Sequence, residues 1–81
     1  MATILCVDDE SSVCALLDQL LRDMGHEPIL ASGVAEAIEV LGRLRVDLLI
    51  SDYVMPGRDG LALLDYVRDE GLHVPAILMS G

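Results

Sequence analysis

Apolar positions in this chain alternate between short unbroken runs and helical spacing. Thr3 to Val7 is a β-rich apolar run, which predicts a first strand. Val13, Leu16, Leu17, Leu20, Leu21 and Met24 then recur at i, i+3, i+4, i+7, i+8 and i+11, with Asp18, Arg22 and Asp23 outside the stripe. That spacing predicts an amphipathic helix. Asp8, Asp9, Glu10, Ser11 and Ser12 precede it and are expected to supply acceptors for its free N–H groups. Gly25 is placed to end it in the left-handed conformation.

The same alternation continues. Glu27 to Ala31 reads as a short second strand, with Pro28 arguing for a sheet edge. Ser32 or Gly33 opens a second helix with Val34, Ala37, Ile38, Leu41 and Leu44 on its apolar face, and Gly42 weakens its last turn. Leu48-Leu49-Ile50 fits a strand buried on both faces, ended by Asp52. After a Pro56-Gly57 turn, Asp59 is expected to cap a third helix that carries Leu61, Leu64 and Val67 inward with Leu63 beside them, up to Gly71. Pro75 to Ser80 forms a fourth strand. Strict alternation with short connections implies an α/β domain with a parallel sheet. Right-handed crossovers then place helices on both faces.

Parallel strands gather their carboxyl ends on one edge, where open α/β sheets bind ligands. Asp8 and Asp9 follow the first strand, Asp52 ends the third and Ser80 ends the fourth. Asp52 alone could be an aspartate satisfied by backbone N–H groups of its turn. Carboxylates ending two strands imply instead a shared cation site. Mg²⁺ suits it, because this hard ion takes a few carboxylates with backbone oxygen and water and leaves room for phosphate oxygens. Ser80 would add a neutral hydroxyl donor.

Composition narrows the partners. The 81 residues carry a net charge of −9 and are 53% hydrophobic, enough for one domain with a modest core. So negative a chain disfavours nucleic acid and anionic membrane. No apolar run approaches the roughly 20 residues of a membrane span, and the N-terminus lacks the pattern of a signal peptide. Cys6 and Cys14 have no CxxC spacing, so they read as reduced packing residues of a cytoplasmic protein. His26 and His73 read as solvated loop residues, and Tyr66 as a rim residue. The five basic residues are all arginines, leaving no lysine.

Val7-Asp8-Asp9-Glu10, the stretch from Ile50 to Leu61, and Pro75 to Gly81 together resemble the receiver domain of bacterial two-component response regulators. The resemblance covers the whole chain and implies a flavodoxin-like (CheY-like) doubly wound sheet. It further implies that Asp52 is the phosphoacceptor, attacking a phosphohistidine on a sensor histidine kinase or phosphotransfer protein. Asp8, Asp9, Asp52 and the backbone carbonyl of Val54 would hold Mg²⁺, and Ser80 would hydrogen-bond the phosphoryl group. Receivers continue past a fourth strand to a lysine-bearing fifth, so residues 1–81 are expected to be a partial receiver domain, impaired in phosphotransfer rather than an enzyme in its own right.

Two other readings compete. The chain could be a structural or interaction module that keeps the scaffold without accepting phosphate. It could also be a Mg²⁺-dependent phosphohydrolase with an aspartyl nucleophile, although such enzymes want a DxD arrangement where this chain has adjacent aspartates. Apolar side chains on both faces of strands three and four, beside an uncovered edge, predict a homodimer or larger assembly through those strands.

Overall fold

The computed structural model describes residues 1–52 and 60–79. The expected Pro56-Gly57 turn, the Asp59 cap, the Val54 carbonyl and Ser80 lie outside the described residues. The elements run β1 (Thr3–Val7), α1 (Ser11–Asp23), β2 (Glu27–Ala31), α2 (Val34–Arg43), β3 (Leu48–Asp52), α3 (Gly60–Asp69) and β4 (Ala76–Met79). The four strands form one parallel sheet in the order β2-β1-β3-β4. Pro28 therefore lies on an edge strand, where its missing N–H removes no bond to a second neighbour.

Strand alternation splits the core in two. Leu5, Val7 and Leu49 pack with Val34, Ala37 and Leu41 of α2 and Leu63 and Val67 of α3 on one face of the sheet. Ile4 and Cys6 pack with Leu21 of α1 on the other, with Leu17, Leu48 and Ile50 half-buried against them. Helices thus cover both faces. Leu48 and Ile50 share one face and Leu49 takes the other, as the period of two requires.

Several side chains depart from the expected helical faces. In α1 the buried residues are Cys14 and Leu21, while Leu16 is 60% exposed, Leu20 49% and Met24 68%. Of the stripe, Leu17 and Leu21 pack against Ile4 and Cys6 of β1. In α3 the fully buried residue is Leu63, whereas Leu61 faces solvent and Leu64 is half-buried. Leu44 follows α2 in extended backbone and is exposed.

Helix ends are handled largely by backbone. α1 has no side-chain cap at Glu10; its first-turn amides of Val13 and Cys14 bond the Glu10 carbonyl. At the other end Gly25 takes φ +85°, and the N–H groups of Gly25 and His26 donate back to Arg22 and Leu21. Gly71, at φ +67°, does the same for α3 with Leu72. Both are Schellman closures, which need a residue that tolerates positive φ. His26 is more than a solvated loop residue, since its Nδ1 accepts a bond from the Ala2 N–H at 3.1 Å.

Candidate metal and phosphoacceptor site

The site follows from strand register. Val7 of β1 is level with Ser51 of β3, so Asp8, just past the end of β1, and Asp52, the last residue of β3, stand side by side at the carboxyl edge. The Asp8 N–H donates to the Ala31 carbonyl at 3.1 Å, which continues the β1–β2 pairing one residue further and holds Asp8 in place. Its Oδ1 accepts the Glu10 N–H at 2.9 Å, and its carbonyl accepts the Cys14 thiol at 3.4 Å. Asp8 is buried, Asp9 beside it is exposed, and Asp52 is intermediate. Each of the three offers a carboxylate oxygen, and these oxygens lie within 4.8 Å of one another.

Buried Ser51 supports the end of β3, its hydroxyl donating to the Asp52 carbonyl at 3.1 Å. Cys14 lies under the site as a packing group. Burial raises the pKa of its thiol, with the nearby Asp8 carboxylate adding to the rise and the bond to the Asp8 carbonyl opposing it. Burial also pushes Cys6 up to about 11, helped by Cys14 and Asp18. Both cysteines are free thiols, and neither is poised as a thiolate ligand.

The donor set fits Mg²⁺ on its chemistry. Three hard carboxylate oxygens converge at an edge open to solvent on the Asp9 side, without a nitrogen or sulfur ligand among the described residues. Such a site can hold a dication and leave positions for water or phosphoryl oxygen. Of the residues expected from the sequence, Asp8, Asp9 and Asp52 come together here, while Val54 and Ser80 fall outside the described residues.

Comparison with known proteins gives the arrangement a family. The model of the response regulator receiver domain matches residues 4–81. The chain belongs to the response regulator receiver domain family. It is 38% identical over 77 residues to Regulator of RpoS from Escherichia coli, spanning 95% of this chain but only 23% of that protein. Among solved structures, the response regulator TrrA from Thermotoga maritima, crystallised in complex with Mg²⁺-BeF, is 34% identical with a TM-score of 0.92. It covers 99% of this chain, which covers 70% of TrrA. Chemotaxis protein CheY4 of Vibrio cholerae is 31% identical with a TM-score of 0.91, over 96% of this chain and 67% of that one. These receivers share the four-stranded core of this chain, so its fold is that of the CheY-like receivers. Among the described residues no helix is long and apolar enough to cross a membrane.

The sequence signals missed two supporting contacts. Ser51 reads as an ordinary small residue, yet it is fully buried and bonded at the strand end. The Cys14 bond to Asp8 could be anticipated only once α1 was rotated onto β1, because periodicity grouped Cys14 with neither face.

Proposed function

We propose that Asp52 accepts a phosphoryl group from a phosphohistidine of a sensor histidine kinase or phosphotransfer protein. The observation that carries this reading is the convergence of Asp8, Asp9 and Asp52, from two adjacent strand ends, within 4.8 Å. Asp8, Asp9 and Asp52 would hold Mg²⁺, with the Val54 carbonyl as a further ligand. The ion would offset the negative charge shared by carboxylate and phosphoryl group. An Asp52 carboxylate oxygen attacks phosphorus, the P–N bond to the histidine breaks, and the imidazole leaves with the electron pair and takes up a proton. The product is an aspartyl phosphate, and Ser80 would donate a hydrogen bond to it. On this reading the domain is a signalling acceptor and not an enzyme acting on a free substrate.

Residues 1–81 form part of a receiver in this proposal, and phosphotransfer in the 81-residue chain is slow. These residues contain no lysine, so no lysine ammonium is available to hold the transferring phosphoryl oxygens. Net charge argues against nucleic acid as a partner of this segment, and the two free thiols suit a cytoplasmic setting. We further propose that the chain associates with itself through β3 and β4.

Two measurements test the site. Mg²⁺ titration followed by amide shifts should move residues around Asp8, Asp9 and Asp52, and Asp9→Ala should abolish the response; an identical response in Asp9→Ala would place the metal elsewhere. Incubation with Mg²⁺ and acetyl phosphate, read by intact mass, should give slow labelling that Asp52→Asn removes. Rapid stoichiometric labelling would show that the lysine is dispensable. Mg²⁺ binding without any labelling would favour the interaction-module reading instead.

A further inference from the structure

The edge of the sheet opposite the acidic site carries a concavity of about 280 Å³. It opens where the end of α2 meets the connections that lead into β3 and β4. Leu41 and Val46 are buried in its wall, and Leu72 and Val74 are half-buried beside them. The remaining walls include Arg45 and His73, both exposed.

Arg45 is set apart by its lack of a partner. Arg22 pairs with Asp18 at 3.0 Å, Arg43 with Glu39, and Arg68 with Asp65 and Asp69 at 3.3 Å. Among the described residues Arg45 makes no ion pair and no side-chain hydrogen bond, although acidic residues outnumber basic ones by 14 to 5. The carboxylate nearest in sequence, Asp47, is turned away to accept the Thr3 N–H at 2.8 Å. His73 likewise has no hydrogen-bond partner among the described residues. Two nitrogen-bearing side chains with unused donor capacity therefore border one apolar concavity, in a protein whose surface is otherwise dominated by carboxylates.

We propose that this concavity binds a small monocarboxylate with an apolar body, such as a short-chain carboxylic acid. The Arg45 guanidinium would take the carboxylate through its forked N–H donors, a geometry that a lone ammonium does not offer. The apolar body would lie against Leu41, Val46, Leu72 and Val74. The volume of about 280 Å³ falls just below the roughly 300–1,000 Å³ usual for ligand pockets, which restricts the site to small ligands. The site is separate from Asp52 and does not rest on the phosphoacceptor reading.

Hexanoate titrated into the ¹⁵N-labelled chain is the test, with hexanol and hexylammonium as matched probes. Saturable shifts are expected at the amides of Arg45, Val46, Leu72, His73 and Val74 with hexanoate, and much weaker ones with the other two. Arg45→Gln should weaken hexanoate binding about tenfold or more, as loss of a charge-assisted contact does. Arg43→Gln, which removes a cation already paired, should leave it unchanged. Arg45 is exposed, so its variant should keep the wild-type spectrum elsewhere. Equal shifts from hexanol or hexylammonium, wild-type affinity in Arg45→Gln, or no saturation in the millimolar range would each overturn the proposal.

Discussion

The residues that open α2 show how a local charge sets a measurable pH response. Ser32 donates both its backbone N–H, at 3.2 Å, and its hydroxyl, at 2.7 Å, to the Glu36 carboxylate. These bonds hold the Glu36 pKa below its ordinary value of 4.5, since they favour the charged form. A depressed carboxylate pKa stabilises the fold at pH above the unfolded value, and that contribution disappears as pH falls through the folded value. Ser32→Ala should therefore lower stability by up to about 1 kcal/mol near neutral pH, in the range of lost helix-end contacts. The difference from wild type should shrink as pH drops below 4.5. Urea midpoints measured at neutral pH and in acid would check it; a difference that grows in acid would refute the assignment. Glu36 stands three residues after the N-cap Gly33, but its bonds go to Ser32 one residue earlier, so the usual helix-start spacing would not have named this contact.

Helix α1 shows where reading by element succeeds and where it stops. Its existence and its Gly25 ending followed from spacing and from glycine's tolerance of positive φ. Which flank of its stripe meets the sheet did not follow. The six apolar positions form a broad stripe, and it is Leu17 and Leu21 that pack with Ile4 and Cys6 on β1. In α3, of the positions expected inward, Val67 is buried and Leu61 faces solvent, while Leu63 beside them is fully buried. Strands were more legible than helices because a period of two leaves only two facings, and register then fixed the acidic site from Val7 opposite Ser51. Leu21→Ala should cost about 2–4 kcal/mol, as truncation in a packed core does. Leu16→Gln, at a position 60% exposed, should stay within about 0.5 kcal/mol when measured on monomeric protein. Chemical denaturation of both variants separates the two flanks, and equal losses would mean that α1 packs differently.

At the scale of the molecule, the question is what the surface is made of rather than how large it is. The accessible area is 4921 Å², close to the roughly 4,700 Å² expected for a folded monomer of this mass. Part of the apolar exposure lies on α1 and β4. Ile77 of β4 is 51% exposed and is level with Ile50 on β3, which packs on the α1 side of the sheet. Leu16 and Leu20 stand exposed on that helix, and Ala76 is exposed on β4. Among the described residues β4 pairs only with β3, so its other side presents backbone N–H and C=O groups. A second copy could pair along that edge and cover Ile77 at once, and each large apolar side chain fully buried this way contributes roughly 1.5–3 kcal/mol. The net charge of −9 per chain opposes association, so the dimer should tighten as salt screens that repulsion. Sedimentation at micromolar concentration should show a homodimer or larger assembly that strengthens with salt, and Ile77→Asp should return it to monomer. A cooperatively folded monomer at every concentration and salt level would rule out the β4 edge as an interface between copies.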